Sequence, residues 1–270
     1  LRYVPISSLI PHFPLTAIHI SLHHYPVVIS IPHSGTWIPP EMKVRLKKDL
    51  VLPNSDWYLP DFYDFLRKQQ YTVLINQVNR YVVDVNRDRI REGDSYKTNL
   101  IYTHTTQDDE MYEVLPDEKE IQKRIDNFYL PYHQQLEQLL AEKKKHFPKV
   151  YLLDLHSFGL NFGANILLGS CFGTSCSDEF LKKMEQLCSD QGFSVKCNQE
   201  YAGGYITRHY GRQGLGYEAL QIELWYGAYI EKREFGKEEL PGIQGEFYKD
   251  ARERMSKVFK TLVELLEDYF

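Results

Sequence analysis

Pro26-Val27-Val28-Ile29-Ser30-Ile31, followed at once by Pro32-His33-Ser34-Gly35, decides how the rest of the chain is read. The first six residues are an apolar, β-branched run too short for a helix, and Pro32 closes it. They predict a buried strand. Similar runs recur at Tyr71–Ile75, Tyr81–Val85, Val150–Leu155, Phe193–Cys197 and Glu218–Leu224. Helical spacing lies between them. A helix is expected from Pro39 through Lys47, with proline in its first turn, and another, rich in aromatics, over Asp56–Arg67. From Asp117 to Lys145, Ile121, Ile125, Phe128, Tyr132, Leu136 and Leu139 recur at three- and four-residue intervals. That predicts a long amphipathic helix kinked at Pro131. Asp178–Asp190 reads as a helix capped by Ser177 and stopped near Gly192. Phe247, Ala251, Met255, Val258, Leu262 and Leu265 mark a closing helix. Such alternation implies a three-layer α/β/α fold with a mixed, mainly parallel central sheet. No internal repeat or low-complexity linker divides the chain, so residues 1–270 are expected to form a single domain.

Bulk properties narrow the function. With 43% hydrophobic and 26% charged residues the chain has the balance of a soluble globular protein, and a net charge of −5 offers no basic footprint for nucleic acid. Lys143-Lys144-Lys145 ends a predicted helix, where cations suit the dipole. No apolar run reaches the roughly 18 residues of a membrane span. The first residues lack a signal-peptide pattern, and Cys171, Cys176, Cys188 and Cys197 have neither CxxC nor zinc-finger spacing. A cytoplasmic protein with free thiols is expected.

Ligands in parallel sheets gather beyond the carboxyl ends of strands. His33 follows the first strand directly, and His156, in Asp154-Leu155-His156-Ser157, follows another. One such histidine is ordinarily a satisfied polar residue. Two at equivalent positions suggest a metal site, and imidazole suits zinc, whose catalytic sites take three protein ligands. The third ligand should be a carboxylate: Asp56, or Glu41 as the competitor. Glu223 lies inside the apolar strand Leu220-Gln221-Ile222-Glu223-Leu224, where an unpaired charge costs several kcal/mol. It needs an ion partner or a function, and general base is the function that fits. Burial would raise its pKa and a nearby cation would lower it. Arg80, the Asn86–Arg87 pair and Arg208 provide forks able to grip carboxylates.

These motifs resemble the N-formylglutamate amidohydrolase family. The resemblance rests on Ile-Pro-His-Ser-Gly (31–35), Ser-Asp-Trp (55–57), Asn-Arg-Tyr-Val-Val-Asp-Val-Asn-Arg-Asp (79–88), Asp-Leu-His-Ser (154–157), Gly-Gly-Tyr-Ile-Thr-Arg-His-Tyr-Gly (203–211) and Gln-Ile-Glu-Leu (221–224). It implies hydrolysis of N-formyl-L-glutamate to formate and glutamate, a late step in one route of histidine degradation. The motif order is more distantly similar to zinc carboxypeptidases and aspartoacylases, which implies a zinc-carboxypeptidase-like fold. The expected site is then one zinc ion per chain on His33, Asp56 and His156, with Glu223 as base and Arg80 at the oxyanion. Asn86, Arg87 and Arg208 would bind the carboxylates of a small N-acyl amino acid. Carboxypeptidases carry a metal glutamate three residues after the first histidine. Thr36 stands there in this chain, so the carboxylate must come from elsewhere. Two other readings stay open: the same zinc chemistry on another N-acyl amino acid or peptide-like amide, and a non-catalytic metal- or acidic-ligand-binding domain.

Overall fold

The computed structural model describes residues 16–19, 25–53, 55–89, 99–231 and 245–267. Among the described residues, seven strands form one sheet: β1 (Thr16–His19), β2 (Val27–Ile31), β3 (Thr72–Asn76), β4 (Val150–Phe158), β5 (Ile166–Gly169), β6 (Val195–Cys197) and β7 (Tyr217–Trp225). Their order is β1-β3-β2-β4-β7-β5-β6. The four central strands, β3, β2, β4 and β7, are parallel. β1 runs antiparallel to β3, and β5 antiparallel to β7 but parallel to β6. The expected mixed, mainly parallel sheet is therefore present. β1 and β5 were not foreseen.

Alternation along each central strand sorts the core. Ile29, Ile31, Val73, Ile75, Leu153, Leu155, Leu220, Ile222 and Leu224 face one side. There they pack on α2 (Leu59–Phe62), α3 (Phe65–Lys68), α6 (Asp178–Asp190) and α8 (Glu246–Glu267). Val28, Leu74, Val150, Leu152 and Ala219 face the other side, against α5 (Leu130–Lys144) and α7 (Tyr205–Tyr210). On that second face the apolar pattern stops part-way up. Ser30, Asp154, His156, Gln221 and Glu223 continue it, all buried. The three-layer architecture follows from the first half of this pattern and the site from the second.

Four expected elements differ from the structure. Helix α1 covers only Pro40–Lys43. The candidate over 56–67 starts only at Leu59, because Tyr58 takes a left-handed conformation (φ 58°), and it divides into α2 and α3 at Tyr63, whose φ of −97° and ψ of 15° leave the helical range. Tyr81–Val85 is not a strand. Asn79 Oδ1 accepts from Tyr81 N and Asp84 Oδ1 accepts from Asn86 N, folding the segment into consecutive turns. Its valines are apolar because they are buried, Val82 in one cluster and Val83 and Val85 in another. Periodicity cannot distinguish such burial from strand pairing. The long helix also contains more than a kink. Between α4 (Glu118–Arg124) and α5 lies a π-helical turn, Ile125–Tyr129. Its wider ring accommodates Pro131, which has no N–H to donate and would crowd the preceding turn.

Lys143 also departs from expectation. It is fully buried, with Nζ donating to Tyr25 O at the start of β2. Burial lowers its pKa from 10.5 to about 7. The unfolded chain therefore binds more protons than the folded one above that value, and this group's contribution to stability rises with pH. The urea midpoint of the unmodified protein should climb relative to Lys143→Met between about pH 7 and pH 9. Parallel midpoints across that range would show that the buried amine does not titrate there.

Candidate active site

His33 leaves the carboxyl end of β2, and its carbonyl accepts from Asp56 N at 3.2 Å. Asp56 in turn accepts from Ser157 N through Oδ2 and faces His156 Nδ1, both at 3.2 Å. The two imidazoles lie edge to face, 4.8 Å between centroids. One donor atom each from His33, Asp56 and His156 lies within 4.8 Å of the other two, and all three residues are buried. Two imidazole nitrogens and one carboxylate oxygen match the donor set of catalytic zinc sites, so these residues fit a divalent ion. Glu41 is far from this role. It is half exposed on α1 and pairs with Lys123 at 2.9 Å.

Glu223 stands beside His156, in register with it across the parallel β4–β7 pair. One oxygen, Oε1, accepts from Gln221 Nε2 at 2.9 Å. Burial pushes its pKa to about 7, against the pull of His156. This places a proton acceptor with a near-neutral pKa next to the candidate metal ligands.

A second carboxylate organises the arginines. Asp84 has no exposed surface. It faces His33 Nε2 at 2.7 Å through Oδ1, and through Oδ2 accepts from Arg80 at 2.9 Å and the Tyr102 hydroxyl at 2.5 Å. Burial alone would raise its pKa, but His33, Arg87 and Arg80 together hold it well below the ordinary carboxylate range. Burial and the Arg80 charge lower His33 to about 4. For His156 burial also acts downward, yet the Asp154 and Asp56 carboxylates raise it well above its usual value. Asp154 Oδ2 lies 3.0 Å from His156 Nε2, and its Oδ1 accepts from Ser30 Oγ at 2.7 Å.

His33, Asp56, His156, Glu223, Arg80 and Asn86 thus belong to one buried cluster, which Arg87 joins through Asp84 at 3.9 Å. Asn86 Nδ2 lies 3.2 Å from His156 Nε2, while its Oδ1 accepts from Ile206 N at the start of α7. Gly204 permits this approach, since a Cβ there would sit 2.3 Å from Asn86 Nδ2. Arg208 stands apart, exposed on α7 and donating to Gly203 O at 3.2 Å. Asp84, Tyr102, Asp154 and Gln221 had no role in the sequence reading. For Asp154 and Gln221 a signal was available: each lies two residues before a site residue, on the same face of its strand.

A model of the N-formylglutamate amidohydrolase family matches residues 25–230. The chain belongs to this family. It is a hydrolase that acts on an amide. The N-formylglutamate deformylase of Pseudomonas aeruginosa is 30% identical over 221 residues, covering 77% of this chain and 83% of the relative. The Pseudomonas putida deformylase is 28% identical over 222 residues, with the same coverage of 77% and 83%. The fold resembles that of an N-formylglutamate amidohydrolase from Ralstonia eutropha JMP134. The TM-score is 0.81 at 21% identity, over 96% of this chain and all (100%) of that one. A gene product of Agrobacterium tumefaciens, 18% identical, gives 0.68 over 92% and 96%. Among the described residues no helix is long and apolar enough to cross a membrane. The four cysteines are free.

Carboxylates behind metal-binding imidazoles orient them and raise their basicity. In this amidohydrolase, Asp154→Asn should therefore weaken binding of a divalent ion by about 10–100-fold in chelator competition. Asp56→Ala should weaken it too, and Glu41→Ala should not. An effect of Glu41→Ala without one from Asp56→Ala would move the third ligand to α1.

Proposed function

We propose that the protein hydrolyses N-formyl-L-glutamate to formate and L-glutamate, with one zinc ion on His33, Asp56 and His156. The observation that carries this reading is the position of Glu223, a buried carboxylate with a near-neutral pKa in register with a candidate metal histidine. The family to which the chain belongs supports the substrate class. All seven described strands share one sheet, which supports taking residues 1–270 as one hydrolase domain.

When bound, the ion supplies Lewis-acid polarisation of the scissile carbonyl and makes water a stronger acid. Glu223 takes a proton from the attacking water, its Oε1 oriented by Gln221, and returns it to the leaving nitrogen as the C–N bond breaks. Arg80, steadied by Asp84 and Tyr102, stabilises the developing oxyanion. Asn86 and Arg87 grip the α-carboxylate of the substrate. Arg87 Nη1 is spent on Asn86 O, but its Nε is buried without a hydrogen-bond partner, a donor available to such an anion. Arg208 is the candidate for the side-chain carboxylate.

A base must be deprotonated to act, so activity should fall as pH drops below the Glu223 pKa. Burial raises that value to about 7 although His156 and Arg80 already pull it down, and a bound metal ion would lower it further. The kcat/KM profile should therefore show an acid limb at or below neutrality. Glu223→Gln should cut kcat by about 10²–10⁴-fold, abolish that limb and leave metal binding intact. Near-normal turnover in this variant would make Glu223 a structural residue.

One observation favours a second reading, the same chemistry on another N-acyl amino acid. Arg208 is exposed and donates to Gly203 O instead of being buried beside Arg87. A panel of N-formyl and N-acetyl amino acids decides between the two. Under the first reading N-formylglutamate outperforms N-formylglutamine in kcat/KM by a wide margin, and Arg208→Met erases the preference. Equal turnover of the two by the unmodified enzyme would reject a second carboxylate grip.

A further inference from the structure

The segment that bears Asn86 and Arg87 belongs to no strand, yet three successive carbonyls in it are each taken by a side chain. Val85 O lies 3.0 Å from His133 Nε2. Asn86 O accepts from Arg87 Nη1 at 2.9 Å. Arg87 O accepts from the Tyr129 hydroxyl, also at 2.9 Å. The two outer bonds come from one helical stretch. Tyr129 closes the π-helical turn and His133 follows four residues later in α5, so the pair faces the same way.

His133 does more than cap one carbonyl. A carbonyl can only accept, so Nε2 carries the ring proton. Burial lowers the pKa of the ring to about 4, so it is neutral near pH 7 and Nδ1 is an acceptor. The Tyr210 hydroxyl of α7 lies 3.0 Å from that nitrogen. Tyr129, Tyr132, Tyr205 and Tyr210 surround the ring, with centroids between 4.3 Å and 6.0 Å away. α7 also supplies Ile206 N to Asn86 Oδ1. His133 therefore joins three pieces of chain: α5, the turn carrying the Asn–Arg pair, and the helix whose first turn holds the Asn86 amide.

We propose that Tyr129 and His133 are positioning residues that set Asn86 and Arg87 for the substrate's α-carboxylate, by anchoring the carbonyls on either side of Asn86. The proposal rests on Asn86 and Arg87 being the carboxylate grip. Neither α5 residue touches substrate. Without the anchors the peptide planes before Asn86 and after Arg87 each lose a hydrogen bond that fixes them, and the Arg87 fork loses its aim. A misaimed fork weakens carboxylate binding without altering the reacting groups.

The test is steady-state kinetics of Tyr129→Phe, His133→Phe and His133→Gln in the zinc-loaded protein. Arg87→Met serves as reference, and N-formylglutamic acid α-amide as a substrate lacking the α-carboxylate. Tyr129→Phe and His133→Phe should each raise KM for N-formylglutamate by about three- to tenfold, the worth of one hydrogen bond, with kcat and metal content little changed. Neither should affect the α-amide. His133→Gln, which keeps a donor for Val85 O and an acceptor for Tyr210, should restore KM. A KM unchanged in Tyr129→Phe and His133→Phe but raised in Arg87→Met overturns the positioning role and leaves the grip intact. A KM unchanged in Arg87→Met removes the grip and the proposal with it. Equal losses on both substrates, or a fall in kcat and metal content that His133→Gln does not restore, would reduce the pair to structural residues.

Discussion

Asp84 has no exposed surface, so its charge must be answered from inside the protein, and the groups that answer it come from four separate places. His33 arrives from the end of β2, Tyr102 from a distant loop, and Arg80 and Arg87 from either side of Asp84 itself. A buried carboxylate with a missing partner would cost several kcal/mol, so these groups are held as a set. That set fixes one candidate metal ligand, His33, and two of the three candidate arginines, Arg80 and Arg87, at once. The turns at residues 79–88 exist to satisfy this carboxylate and need no sheet hydrogen bonds.

The other half of the site follows from one face of the sheet. Toward the amino ends of its central strands that face is apolar and packs on α5. Toward the carboxyl ends Ser30, Asp154 and Gln221 form one row, with His156 and Glu223 in the next. The first row is hydrogen-bonded throughout: Ser30 to Tyr132 and Asp154, Gln221 to Gly204 N and Glu223. A polar patch of this density stabilises the fold less than an apolar one of equal area would. It gives one imidazole and two carboxylates fixed positions before any ligand arrives, which is the condition for electrostatic catalysis.

Much of this was legible beforehand, for a reason visible in the residues. His33 follows β2 and His156 lies toward the carboxyl end of β4, which runs on past the expected stop at Leu155, and parallel sheets place such residues at one rim whatever the helices do. Glu223 was conspicuous because a carboxylate inside an apolar strand has few innocuous explanations. The misread elements share one cause. Tyr81–Val85 has the composition of a strand and the hydrogen bonding of turns, and burial produces the same apolar pattern in both. Tyr58 delayed the start of a predicted helix through one backbone angle that no periodicity reports.

Local sequence determined the alternation of strands and helices, the order of the motifs, and which residues emerge where strands end. Tertiary structure decided which carboxylate completes the His–Asp–His triad and what stands behind each imidazole. His156 meets Asp56 across 100 residues of chain and His33 meets Asp84 across 51. Periodicity is a property of near neighbours, whereas the partners of a buried charge are whatever groups the completed core brings within hydrogen-bond distance. That is why Asp56, and not Glu41, stands beside the histidines: Asp56 N is bonded to His33 O and its carboxylate to Ser157 N, while Glu41 on α1 pairs outward with Lys123.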